Sequence, residues 1–288
     1  MKTTSAKIRS RLDFVTIQFI ELLTEQRIKR MSKPSFGAII LPEYYFEKPS
    51  PVQRNIQLDL INQYEKISEL LKIIFKNAPA DITYQLTQAD KLYRMWMLFE
   101  TNWSIEPDAE KNVQKFIKDA EEFNPLIDIL DMNKNKETII IPDTNSLLIS
   151  CNPSDYKNVL NMDSFTILLL PTVLSELDKL KILHRNQDVR DKTQKVITRI
   201  KGWRNQGSLT NGVLVEKTIS IKTIPNEPNM NSTLSWLDKD IPDDRIIASV
   251  IEIQSRFPSS VIILFTNDIN LQNKAEAALI EYCDLEIT

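Results

Sequence analysis

Carboxylates at four places in the chain are where chemistry is most legible. Asp143 ends the aliphatic run in E137-T-I-I-I-P-D-T-N-S-L-L148, and Glu176 lies in L170-P-T-V-L-S-E-L-D-K-L-K181. Asp243 and Asp244 stand together in I241-P-D-D-R-I-I-A-S-V250, and Asp268 follows the aliphatic run of V261-I-I-L-F-T-N-D-I-N-L-Q-N-K-A275. Taken singly, each has an ordinary explanation. An aspartate at a helix start is a cap, one after a strand is a turn residue, and a glutamate on a helix is solvated. Brought to one place, such acids repel and cannot all ionise without a cation. Mg2+ or Mn2+ answers that need, because hard divalent ions prefer carboxylate oxygens and water. An ion so held activates water and stabilises an in-line phosphoryl displacement, so the chemistry indicated is hydrolysis of a phosphodiester or phosphomonoester.

The rest of the composition removes competing chemistries. His184 is the single histidine, in an apparent helix with no catalytic partner in its surroundings, and Cys151 and Cys283 are too few for a disulfide framework or a cysteine-rich zinc site. The four glycines, Gly37, Gly202, Gly207 and Gly212, form neither a dinucleotide fingerprint nor a P-loop. No run approaches the length needed to span a bilayer; Phe165 to Leu170 is only core-strand length. The basic N-terminus is interrupted by Asp13 and Gln18 and lacks the features of a signal peptide, which predicts a cytoplasmic protein with no membrane association.

The elements that must position the acids fall in the second half. Ile139–Ile141, Phe165–Leu170, Val213–Val215, Ile219–Ile224 and Val261–Phe265 read as strands, with a short last one at Leu285–Ile287. Helices are expected over about Pro171–Leu183, Asp188–Arg204, Asp243–Arg256 and Asn270–Tyr282, with a short segment near Tyr156–Leu160. Alternation of aliphatic strands with helices predicts an α/β fold with a central, largely parallel sheet. In such sheets ligands bind beyond the carboxyl ends of the strands, where all of these acids would converge.

The first half is helical in pattern. Leu12, Val15, Phe19 and Leu22 share one helical face, as do Leu92, Met95, Trp96 and Phe99. Prolines such as Pro34, Pro79 and Pro107 punctuate the segments. The polar stretch D131-M-N-K-N-K136 marks a change of character, so the expected domains are residues 1–136, α-helical, and 137–288, α/β.

Those motifs resemble the PIN-domain nucleases over about residues 137–288. The resemblance rests on Asp143-Thr144-Asn145-Ser146-Leu147-Leu148, on Pro171 through Glu176-Leu177, on Asp244-Arg245-Ile246-Ile247, and on Thr266-Asn267-Asp268-Ile269-Asn270-Leu271 with Lys274-Ala275. The T-N-D-x-N-L form is similar to that of the larger eukaryotic-type branch rather than the smallest toxin enzymes. The resemblance implies a metal-dependent endonuclease of single-stranded RNA, leaving 5′-phosphate and 3′-hydroxyl ends. It implies that Asp143, Glu176, Asp244 and Asp268 are metal-binding and catalytic. Asp244 is preferred to Asp243 for its spacing to Ile247, with Asp243 a further ligand or a cap. Asn145, Thr266 and Asn267 would hold carboxylates or metal-bound water through hydrogen bonds.

Overall charge does not advertise a nucleic-acid partner: residues 137–288 carry 16 basic and 20 acidic residues. A local exception runs from Lys179 to Arg204, where Lys192, Lys195 and Arg199 line one flank of a helix and make a candidate phosphate-binding face. The alternative is an ordinary solvated face. A second basic cluster, R27-I-K-R-M-S-K33, together with Trp96 and Trp103, could dock RNA, whereas contact with a protein partner or regulation of the second domain are the other roles open to the first half. Two rivals remain. A haloacid-dehalogenase-like phosphatase would need an aspartate where Asn145 stands, and a receiver-type phosphoacceptor domain would need an acidic pair before its acceptor strand. From another class, the second half would be a catalytically silent binding or scaffold module.

Overall fold

The computed structural model describes residues 1–32, 42–132 and 136–285. Pro34, Gly37, Lys33, Ile287 and the middle of the 131–136 stretch lie outside the described residues. The chain divides into two compact units, Ser5–Leu130 and Asp131–Thr288 with Met1–Thr4.

In the first unit the apolar stripes become helices α1 (Thr4–Thr24), α2 (Pro51–Ile74), α3 (Ala80–Met97), α4 (Ala109–Ala120) and α5 (Asn124–Asp131). Ser50 and Gln53 form a reciprocal capping box at the start of α2, satisfying amides that the helix itself cannot pair. Aromatic packing holds the helices together: Tyr64 stacks on Tyr93 at 4.3 Å, and Phe116 meets Phe19 edge-on at 4.8 Å. Trp96 is fully buried and donates from Nε1 to Asp119 Oδ2 at 2.7 Å, which removes it from any docking surface; Trp103 is exposed. The all-helical expectation also misses a small antiparallel pair, β1 (Ile28–Arg30) with β2 (Tyr44–Phe46). Strands of three residues are too short for a period-2 pattern to register. This pair changes the reading of the Arg27–Lys33 cluster, because Lys29 pairs with Glu47 and Arg30 with Glu43, each at 2.6 Å. Half of that basic patch is thus neutralised locally.

Asp90 is a buried charge of this unit. It accepts from Tyr64 and Ser68 at 2.7 Å, from Lys72 at 2.8 Å and from Arg94 at 2.9 Å, while Arg94 also forks onto Glu65. Burial alone would raise the Asp90 carboxyl, but the hydrogen bonds from Lys72, Ser68, Tyr64 and Arg94 outweigh it and hold it at about 2. A depressed carboxyl stabilises the fold above its unfolded-state value near 4, and that stabilisation is lost as the pH falls toward 2. The expected contribution at neutral pH is about 2–3 kcal/mol. Acid unfolding followed by circular dichroism tests this: Asp90→Asn should remove most of that stability at pH 7 and flatten the acid limb. An unchanged acid limb in the variant would exclude Asp90 as its source.

The second unit is built on strands buried along nearly their whole length. In chain order it runs β3 (Thr138–Pro142), α6 (Thr144–Ile149), α7 (Pro153–Leu160), β4 (Phe165–Leu169), α8 (Pro171–Leu183) and α9 (Gln187–Arg204). It continues through β5 (Val213–Glu216), β6 (Ile219–Thr223), α10 (Pro242–Arg256), β7 (Val261–Phe265), α11 (Ile269–Ala277) and β8 (Glu281–Cys283). Among the described residues these strands form a six-stranded sheet in the order β5-β6-β4-β3-β7-β8, parallel throughout except for β5. This is the α/β architecture with a helical region before it. Every residue of β3 and β4 is buried, which explains their unbroken aliphatic character. The C-terminal elements differ most from the sequence reading. The last helix stops at Ala277 rather than Tyr282, Leu279 turns the chain at φ 57°, and the closing strand is Glu281–Cys283, pairing Tyr282 with Leu264, not Leu285–Ile287. Leu285 is buried but outside the sheet.

Candidate active site

The parallel strands put their carboxyl ends on one edge, and the acids follow from there. Pro142 and Phe265 are register partners in β3 and β7, so Asp143 and the Thr266–Asp268 turn emerge side by side. The Asp143 amide donates to Phe265 O at 2.9 Å and locks that register. Glu176 comes from α8, the helix that follows β4, and Asp243 from the first turn of α10. Asp143, Glu176, Asp243 and Asp268 line a single cavity of about 330 Å³, together with Thr144, Asn145 and Lys179.

Each carboxylate is held by the chain around it. Asp143 caps α6: its Oδ1 accepts from the Ser146 amide at 2.6 Å and its Oδ2 from the Thr266 hydroxyl at 2.6 Å. Thr266 Oγ1 in turn accepts from the Asp268 amide at 3.1 Å, which joins two of the acids through one hydroxyl. Asp268 caps α11, with Oδ1 accepting from the Asn270 and Leu271 amides at 2.7 and 3.2 Å. Glu176 accepts from the Thr144 hydroxyl. Thr144 and Ser146 are therefore supports that the sequence reading passed over; their position one and three residues after Asp143 was the available signal.

The two acids of α10, of which the sequence prefers Asp244, lie in different surroundings. Asp243 is half-buried on the cavity wall, whereas Asp244 does not line the cavity and its side chain is 4% exposed. Asp244 Oδ2 accepts from the Asp238 amide at 2.8 Å, fastening the loop before α10. Lys274 Nζ lies 2.7 Å from Asp244 Oδ1 and 3.8 Å from Asp243 Oδ2. It is close enough to Oδ1 for an ion pair but out of line for a hydrogen bond, so Oδ1 is a buried carboxylate oxygen with no hydrogen bond among the described residues. Neither acid is an N-cap, since Ile241 holds that position; both lie in the first turn, where the helix end favours negative charge.

Electrostatics at the cavity oppose full ionisation. Burial raises the Asp143 carboxyl, with the charge of Asp268 adding to it and hydrogen bonds from Thr266 and Ser146 opposing. Burial also raises Asp243, reinforced by Asp268 and Asp244 and opposed by Lys274. Protons or cations both relieve such a site. The donor set fits a hard divalent ion: all carboxylate, with one Glu176 oxygen and one Asp268 oxygen given no partner by the hydrogen bonds described above. Among the described residues, however, no three acidic, histidine or cysteine side chains stand close enough to grip an ion as they are placed. The acids surround the cavity, turned onto Thr144, Lys274 and helix amides.

The remaining expected residues distribute unevenly. Asn145 is exposed and lines the cavity, free of any described hydrogen bond to a carboxylate. The Asn267 side chain exchanges hydrogen bonds with the backbone of Leu285, at 3.3 and 3.1 Å, and so supports the C-terminal segment. Lys192, Lys195 and Arg199 are exposed on α9 but none lines the cavity, and Arg199 bonds Asn152 at 3.1 Å with its guanidinium 5.7 Å from the Trp203 ring centre. The cation that does line the cavity is Lys179, one turn beyond Glu176. Among the described residues no helix is long and apolar enough to cross a membrane.

Comparison with protein families finds a family model described as PIN domain that covers residues 140–286, just over half of the chain. Comparison with curated proteins gives no match.

Proposed function

The chain belongs to the PIN-domain family, and from that premise we propose that residues 137–288 form a metal-dependent endoribonuclease acting on single-stranded RNA. PIN domains are generally nucleases that depend on divalent metal. The observation that carries the reading here is the ring of Asp143, Glu176, Asp243 and Asp268 around one cavity at the carboxyl edge of a parallel sheet. These four would hold Mg2+ or Mn2+, and Asp244, ion-paired to Lys274, would join them if Lys274 moved away. When bound, the ion activates the attacking water and offsets charge that develops on the phosphoryl oxygens.

The chain's own groups do the rest. Ser146 and Thr266 hold Asp143 in one orientation, whereas Glu176, now on the Thr144 hydroxyl, would have to turn to share an ion with it. Lys179 stands at the cavity as a point charge for the scissile phosphate. Asn145 offers a neutral polar contact. Residues 1–136 are assigned an accessory role in docking RNA or a protein partner.

The test is direct. Purified full-length protein, incubated with end-labelled single-stranded RNA, should cut internally with Mn2+ and stop in EDTA, leaving 5′-phosphate products. Absence of cleavage on RNA, single-stranded DNA and flap substrates would reject the reading. It would favour a second one, a silent PIN-fold binding module, which the position of Lys274 against the two α10 acids supports.

A further inference from the structure

A second cavity, of about 620 Å³, opens on the other side of α8. The helix is shared between the two: Glu176, Lys179 and Leu180 face the acid cavity, while Leu174, Leu177 and Asp178 face this one. Its far wall is α9, and it is closed by the 207–210 loop and by Thr223, the last residue of β6. Because β6 runs parallel to β4, with Thr223 opposite Leu169, that residue lies on the same edge of the sheet as Asp143. The strands β6 and β3 are separated only by β4, two strand spacings or roughly 10 Å, and both cavities open at this edge of the sheet.

The chemistry of this cavity is unlike that of the first. Leu177, Ile200 and Leu209 make an apolar floor. Lys201 and Arg204, three residues apart on α9, stand exposed at its rim, and neither side chain has an ion pair or hydrogen bond among the described residues. The hydroxyls of Ser208 and Thr210 bond each other at 2.8 Å beside them. Asp178 is the one carboxylate in the lining, so the rim carries two cations against one anion. An apolar floor beneath a cationic and hydroxyl rim matches a nucleotide unit, whose base has an apolar face and whose phosphate needs a charge partner.

We propose that this cavity is a nucleotide subsite that holds the single-stranded RNA one or more residues away from the acid cavity, with the base on the Leu177–Ile200–Leu209 floor and its phosphate on Lys201 and Arg204. It rests on the nuclease reading for its ligand, but on separate residues for its geometry. It also replaces Lys192 and Lys195, which project from α9 without lining either cavity, as the basic residues that matter most.

The experiment uses the full chain and a short fluorescein-labelled oligoadenylate, with EDTA present so that binding is read without turnover. Fluorescence anisotropy is measured over a salt series for wild type, for Lys201→Ala/Arg204→Ala, and for Lys192→Ala/Lys195→Ala as a matched loss of charge. The first variant should bind about 10-fold or more weakly, and its salt slope should shrink by about 1, the number expected for one to two lost phosphate contacts on a single strand. The second variant should change affinity by less than about 3-fold, as a rim charge does at moderate salt. Equal losses in the two variants would overturn the subsite, because only overall charge would then matter. Wild type that cleaves RNA in Mn2+ while Lys201→Ala/Arg204→Ala binds normally would also overturn it and leave the nuclease reading standing. Wild type that neither binds nor cleaves RNA, or that binds an acidic peptide in preference, would overturn both.

Discussion

Asp143→Asn should lower Mn2+-dependent RNA cleavage by about 100-fold or more, while the protein unfolds at the same temperature or slightly higher. The separation follows from what Asp143 does in the fold. As a cap it needs only an oxygen facing the Ser146 amide, and asparagine supplies one. Its other atom faces the Thr266 hydroxyl, which can accept from an amide as readily as it donates to a carboxylate. Burial already works against the charged form of Asp143, so removing the charge relieves the fold rather than weakening it. The loss falls on whatever the charge was there to hold. A factor of about 100 corresponds to about 2.7 kcal/mol of barrier, within the range of a single well-placed electrostatic group. Cleavage and melting measured on the same preparation decide it. A variant that cuts RNA at the wild-type rate would remove Asp143 from the site, and one that fails to fold would show that its charge is structural.

The second large effect is expected at Lys274. Lys274→Met keeps the aliphatic stem but leaves Asp244, nearly inaccessible to water, without its cation and beside a second carboxylate. Breaking a buried pair from one side costs about 3–5 kcal/mol. In EDTA the Lys274→Met protein should therefore lose about 3 kcal/mol in the second unit, read by amide hydrogen exchange at β3 and β7, which reports that unit apart from the helical one. Mn2+ should restore much of this, because a divalent ion takes over the neutralising role; an ion at 100 times its dissociation constant adds about 2.7 kcal/mol. The same measurement separates the two functional readings. Wild type that gains protection from Mn2+ has a site open to the ion despite the lysine, whereas wild type indifferent to Mn2+ has replaced the ion with Lys274. A loss below about 1 kcal/mol in EDTA would mean that the pair is solvated and contributes little.

Much of this protein was legible in its sequence. The β3, β4 and β7 segments are continuous aliphatic runs because parallel strands are covered on both faces, and α8 was delimited by Pro171 at its first turn. Asp143 and Asp268 announced themselves because one directly follows a strand and the other comes within three residues of one, and strand ends are where an α/β sheet exposes its chemistry. The three-residue strands β1 and β2 escaped notice and β8 was misplaced, since so few residues carry no period.

The tertiary structure alone decided which polar neighbours serve the acids and which basic groups face them. Adjacent residues on a helix differ by about 100° in direction, so Asp243 and Asp244 are almost equivalent in sequence and opposite in environment. One borders the cavity; the other is turned inward onto Lys274, thirty residues away in the chain. The same rotation sends Lys201 and Arg204 toward a cavity and Lys192 and Lys195 away from both. Sequence determined that acids would gather at one edge of one sheet, because strand direction carries them there. Which oxygen meets which partner depended on side-chain direction and on contacts between elements far apart in the chain, and those exist only once the chain has folded.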